Sequence, residues 1–243
     1  MKVEMTVSAS NLLELLKAFR GYGNPSARIW FLGMEEGAPK DEKRLDREVE
    51  KRMNFRPIMG LDEAHELLDR RLGSIETRLS STWIWMARFA RAIIDQSDDW
   101  IDLEKAKRYV IEELGQLEKK TFVTDLLPLP AHNNSIFPYK TLFIRRKDYE
   151  EKVIPERIKM LQDMIAEYKP RYVFAYGKKY REHYRFLANA SEWKIVKDAG
   201  SKDPIEFSGG RDTTFLLLPF FGRQWMNDAI ALKVINSVRS RKR

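Results

Sequence analysis

The stretch "ARIWFLGMEEGAP", residues 27–39, runs apolar from Ile29 to Leu32 and then stops at a glycine, two carboxylates and another glycine. Its core, "RIWFLG" (28–33), has three counterparts along the chain: "TFVTDLL" (121–127), "RYVFAYG" (171–177) and "TTFLLLPF" (213–220). Continuous rather than alternating hydrophobicity is what a strand needs when helices cover both faces of its sheet. The four runs therefore predict a four-stranded, mainly parallel central sheet, with Glu35 and Glu36 at the tip of its first strand.

Helical patterns fill the intervals. "SSTWIWMARFARAIIDQ" (80–96) opens on a capping serine and sets Trp83, Met86, Ala87, Ala90, Ile93 and Ile94 on one stripe. "LEKAKRYVIEELGQL" (103–117) is a more charged helix, and "IPERIKMLQDMIAEYKP" (154–170) carries an early proline and stops at Lys169–Pro170. "KKYREHYRFLAN" (178–189) and "QWMNDAIALKVINSVRS" (224–240) complete the set. Strand–helix alternation with right-handed crossovers predicts a three-layer α/β/α sandwich. "WKIVKDAG" (193–200) and "IEFSGG" (205–210) are expected to add a short strand or hairpin, with Gly209–Gly210 as its turn. Residues 38–79 are charged and helix-like and are read as an insertion over one face of a single domain spanning 1–243.

Composition narrows the function. The chain has 243 residues, of which 43% are hydrophobic, enough for a core. No run approaches the roughly 20 apolar residues of a membrane span. The N-terminus has no signal-peptide apolar region, so a soluble cytoplasmic protein without a membrane partner is expected. There is no cysteine, which removes disulfides, thiol nucleophiles and cysteine-ligated zinc or iron–sulfur clusters. Lys and Arg number 44 against 36 Asp and Glu, and the net charge of +8 suits a polyanion such as nucleic acid, DNA first. Solubility alone is the plainer reading of that charge. The terminal "SVRSRKR", with Arg239, Arg241, Lys242 and Arg243, reads as a frayed helix end.

Ligands of open parallel sheets bind beyond the carboxyl ends of the strands. The first run delivers Gly33, Met34, Glu35, Glu36 and Gly37 to that rim; the second delivers Thr124, Asp125 and the loop "LLPLPAHNNSIFPY" (126–139). The third delivers Gly177, Lys178 and Lys179. The fourth delivers Pro219, Phe220, Phe221, Gly222 and Arg223, followed by Gln224 and Trp225.

The order of elements and these strand-end motifs resemble the uracil-DNA glycosylase-like superfamily. "GMEEG" (33–37) is similar to the Gly-Met-Asn-Pro-Gly loop of its single-strand-selective branch, and Glu35 falls where the family carries the residue that positions or activates water. "TDLLPLP" (124–130) puts Asp125 in or next to the place of the base-reading Asn. "VFAYGK" (173–178) resembles the family's apolar strand ending in glycine, and "LLPFFGRQW" (217–225) stands in place of its His-Pro-Ser motif and DNA-wedging loop. The resemblance covers most of 25–240 as architecture. It implies a fold of that type and excision of a flipped base from DNA. Two departures stand out: no histidine occurs between Leu216 and Trp225, and a carboxylate replaces the Asn. They imply either altered specificity or a fold kept without the reaction.

Cleaving a nucleoside's glycosidic bond builds positive charge on the sugar and negative charge on the base, so a carboxylate and fixed donors are the groups to seek. Glu35, with Glu36 second, is the candidate carboxylate; Lys178, Arg223 or His132 would supply the missing donor. An ionised Asp125 accepts hydrogen bonds only, which suits an exocyclic amine, whereas a protonated one donates. The plain alternatives are solvated or capping glutamates and a turn-forming aspartate. Phe137 is the candidate stacking ring and Phe221 the candidate wedge, while Trp30, Trp83 and Trp85 are assigned to the core and His65 and His183 to the surface. Glu35, Glu36 and Asp125 are also the oxygen donors a Mg²⁺-dependent hydrolase would need. No Walker loop or Gly-x-Gly-x-x-Gly follows any strand, so no cofactor is expected.

Overall fold

The computed structural model describes residues 9–70, 79–132, 137–140, 142–196, 204–208, 212–222 and 225–240. Its strands are β1 (Gly21–Gly23), β2 (Ile29–Gly37), β3 (Ile58–Met59), β4 (Thr121–Ala131), β5 (Tyr172–Tyr176), β6 (Trp193–Ile195), β7 (Glu206–Ser208) and β8 (Thr214–Leu218). Its helices are α1 (Ala9–Ala18), α2 (Glu42–Arg52), α3 (Leu61–Leu67), α4 (Ser81–Ile93), α5 (Leu103–Glu112), α6 (Arg146–Tyr168), α7 (Arg181–Ala188) and α8 (Asp228–Ser240). The class is α/β.

The strands form one mixed sheet in the order β3-β1-β4-β2-β5-β8-β7-β6. The four apolar runs are its middle strands, all parallel to one another. The expected four-stranded sheet is thus eight-stranded, because short segments extend both edges. The β6–β7 hairpin pairs antiparallel on one side, and β1 with β3 extends the other. The expected Gly209–Gly210 turn lies outside the described residues.

Trp30 and Phe31 are neighbours on β2 and so point to opposite faces. The Trp30 ring lies 6.4 Å from Tyr168 of α6, while Phe31 packs on Phe174, which meets Phe89 of α4 at 5.3 Å. Helix α6 contacts α1 and α7, and α4 contacts α5 and α8. The two groups therefore cover opposite faces, and every residue of β5 is buried between them. One contiguous hydrophobic cluster runs from Leu12 to Val238. Among the described residues, no helix is long and apolar enough to cross a membrane.

Several boundaries differ from expectation, each for a local reason. Helix α6 begins at Arg146, so Pro155 sits inside it and withholds one helical hydrogen bond rather than marking the start. Helix α8 begins only at Asp228, where the Asn227 side chain accepts the Ile230 N–H at 2.9 Å. Residues 40–70 do more than cover a face, because β3 joins the sheet through β1. The largest difference is at the rim. "GMEEG" is not a loop but the end of β2, and β4 continues through Pro128 and Pro130 to Ala131. One residue of β2, Glu36, there opposes three of β4, Pro128 to Pro130, between Glu35↔Leu127 and Gly37↔Ala131. Prolines lack the N–H a regular ladder needs, and they fall inside this bulge.

Candidate functional site

A cavity of about 510 Å³ opens at the carboxyl ends of β2, β4, β5 and β8. Met34, Glu35, Glu36 and Gly37 line it from β2, Asp125, Ala131 and His132 from β4 and its end, Tyr176 from β5 and Phe220 from beyond β8. Trp83 and Met86 of α4, Tyr22 of β1, and Leu61 with Arg70 from the 40–70 segment close the sides.

Glu35 and Glu36 are consecutive on a strand, and each meets a different arginine system. Arg146 of α6 reaches Glu35 Oε2 at 2.6 Å and also holds Glu150 at 2.8 Å and the Tyr180 hydroxyl at 3.1 Å. Lys179 joins the network through Glu150 at 2.7 Å. Burial raises the Glu35 pKa, and Arg146 and Lys179 offset that only in part. Glu36 takes Arg52 at 2.7 Å, Arg70 at 3.2 Å and a hydrogen bond from the Tyr22 hydroxyl at 2.8 Å. Burial pushes its carboxyl up, but Arg52, Arg70 and Tyr22 outweigh it and hold the pKa at about 2. Arg70 is also paired to Glu48, so the cluster alternates in sign.

Asp125 is held differently. Burial, then the negative charges of Glu36 and Glu35, push its carboxyl up to about 7, against the pull of Arg157 and Arg52. Gly33 makes this arrangement possible, since a Cβ there would run into Asp125 Oδ1 and the Tyr176 hydroxyl. Gly177, at φ +110°, allows the Met34 side chain to pack against the end of β5. Two carboxyl groups lining one cavity thus have pKa values of about 2 and about 7.

Other expected residues divide. His132 lines the cavity. The Lys178 side chain and all of Arg223 and Gln224 lie outside the described residues, as do Arg241, Lys242 and Arg243. Phe221 is not a wedge: it is fully buried, stacked on Tyr176 at 4.5 Å and packed against Phe89 at 5.5 Å. The exposed aromatics of that segment are Phe220 and Trp225, at 38% and 40%. Phe137 is not a free stacking plane either, because Tyr149 stacks on it at 5.5 Å and Tyr139 and Phe143 complete an aromatic cluster. Trp30 and Trp85 are core, but Trp83 is only half-buried and lines the cavity. His65 is not at the surface: it is 5% exposed, its ring 5.0 Å from Trp83, and His183 is half-buried.

The arginines that hold the glutamates had a readable signature. Leu45, Glu48, Val49 and Arg52 fall on one helical stripe of α2, and all four are buried. A glutamate and an arginine on an apolar stripe point to a buried ionic cluster. In α6, Arg146, Glu150, Val153 and Arg157 repeat the pattern. Among the described residues, no group of three or more His, Asp or Glu side chains is arranged to hold a metal ion.

No protein-family model matches this chain, and no curated protein matches it.

Proposed function

We propose that this protein is a uracil-DNA glycosylase-like protein, a three-layer α/β/α domain that binds nucleic acid and hydrolyses the N-glycosidic bond of a base drawn into the cavity. The observation that carries the reading is Asp125, a cavity carboxyl with a pKa of about 7 beside a glutamate held at about 2. Pairs of acids whose environments separate their pKa values are how sites divide acid and base roles. Protonated Asp125 donates to the departing base, or reads an acceptor on it, which is the role left open by the absent histidine. Ionised Glu36, with Glu35 on the same rim, faces the positive charge that develops on the sugar. Phe220 and Trp225, in place of Phe221, are the aromatics positioned to contact a strand, and the net charge of +8 suits its phosphates.

One observation favours a binding module without the reaction: both glutamates are already engaged by guanidinium groups. The Mg²⁺ reading is weakened by the same pairing, which engages Glu35 Oε2 and Glu36 Oε1. The test is an excision assay on single- and double-stranded oligonucleotides carrying uracil, hypoxanthine, xanthine, mismatched thymine or plain cytosine, with and without EDTA. Alkali-labile sites that are EDTA-insensitive and lost in Asp125→Asn and Glu35→Gln are expected. Salt-dependent binding with no product on any substrate supports the inactive module. Breaks before alkali that EDTA abolishes would replace the proposal with a metal-dependent hydrolase.

A further inference from the structure

Arg157 lies on α6, 3% exposed, with no carboxylate in ion-pair contact among the described residues. Its guanidinium is instead wrapped by oxygens of the chain. Nε donates to the Asp125 carbonyl at 3.0 Å, Nη2 donates to the Arg20 carbonyl and to Thr124 Oγ1 at 3.1 Å each, and Nη1 donates to the Phe19 carbonyl. The Thr124 hydroxyl donates in turn to the Arg20 carbonyl at 2.5 Å. One cation therefore ties β4, at the two residues that end in the cavity carboxyl, to the connection between α1 and β1. A buried guanidinium carries a desolvation penalty that only a nearby opposite charge repays. The carboxyl that opposes this cost is Asp125, and it does so only in part.

We propose that Arg157 is a positioning residue for Asp125: it fixes the backbone that carries the carboxyl and supplies the positive charge that the carboxyl feels from the α6 side. The charged and titratable groups around that carboxyl are Glu35 and Glu36 of β2, Tyr176 of β5, Tyr184 of α7, Arg52 of α2 and Arg157 of α6. Glu35 and Glu36 raise it, and Arg157 and then Arg52 oppose them. Burial lowers Arg157 itself to about 10, as expected for a cation without a contacting counter-ion. The catalytic meaning of this rests on the reading of Asp125 given above, but the structural role does not.

The experiment is a ¹³C carboxyl NMR titration of Asp-labelled protein, the Asp125 resonance being identified by its loss in Asp125→Asn. In Arg157→Gln the Asp125 midpoint is expected to rise by about one pH unit, a roughly tenfold shift in its ionisation equilibrium. Arg157→Lys keeps the charge but not the fork, so its midpoint is expected within about half a unit of wild type. Its β4 amides at 124–126 are expected to exchange about tenfold faster relative to those of β8. An unchanged midpoint in Arg157→Gln overturns the proposal. Should that variant not fold, unchanged β4 exchange in Arg157→Lys overturns it instead. Neither measurement reads excision, so a failed excision assay leaves this inference standing, and an unmoved midpoint leaves the excision reading untouched.

Discussion

Asp125→Asn is expected to stabilise the protein at neutral and alkaline pH while leaving acid stability unchanged. The carboxyl rises from 3.8 to about 7 on folding, roughly three units. At about 1.4 kcal/mol per unit, the ceiling of the effect is about 4 kcal/mol. The sign follows from proton binding. Between about pH 4 and pH 7 the unfolded chain has released this proton and the folded chain has not, so stability falls as pH rises through that window. Below it both states are protonated, and above it the full penalty applies. An amide of the same shape carries no ionisation and removes the whole descent.

Glu36 acts with the opposite sign in a separate window. Its folded value of about 2 lies below its ordinary 4.5, so its contribution is present above about pH 4.5 and is lost as pH falls toward 2. The assay is urea denaturation of wild type and Asp125→Asn from pH 3 to pH 9, read as the difference between the two curves. The curves should meet near pH 4 and separate by up to about 4 kcal/mol at pH 8, or roughly 8–16 °C in Tm for a chain of this size. Parallel curves between pH 4 and pH 8 would refute the reasoning, because they would mean that Asp125 titrates alike in both states.

Glu36→Gln leaves Arg52 without its carboxylate and should cost about 3–5 kcal/mol at pH 7, the usual penalty for breaking a buried pair; the loss, measured by urea denaturation, should shrink toward pH 2. Phe221→Ala should cost about 3–5 kcal/mol of stability by the same measurement. Phe220→Ala and Trp225→Ala, being half-exposed, should instead weaken oligonucleotide binding in fluorescence anisotropy with little change in Tm. Gly33→Ala puts a methyl group against Asp125 and the Tyr176 hydroxyl, and should displace the Asp125 midpoint in an NMR titration. Oligonucleotide affinity should fall linearly on a log–log plot against salt, with Asp125→Asn and wild type sharing one slope, since neither changes the cations that meet phosphate.

The middle of the sheet was legible because its evidence is local: an apolar run such as "YVFAY" has no soluble alternative to burial on both faces. The edges were not, because a two-residue strand such as Ile58–Met59 has no periodicity of its own and exists only through its pairing with β1. Cavity residues divide along the same line. Glu35, Glu36, Asp125 and His132 were found because strand ends converge wherever parallel strands lie side by side, a rule that needs no side-chain contacts. Phe221 and Phe137 were misjudged because two adjacent aromatics, or two spaced along a loop, do not reveal which turns inward; Tyr176 and Tyr149 decide that from elsewhere in the chain. The charged stretch at 38–79 read only as an insertion over one face because net charge hides position. Written on the helical stripe, Glu48 and Arg52 stand among Leu45 and Val49, and a pair of opposite charges on an apolar face is stable only if something charged waits opposite. What waits there is Glu36, so the segment that read as an insertion holds in place the carboxylate whose charge helps to raise Asp125.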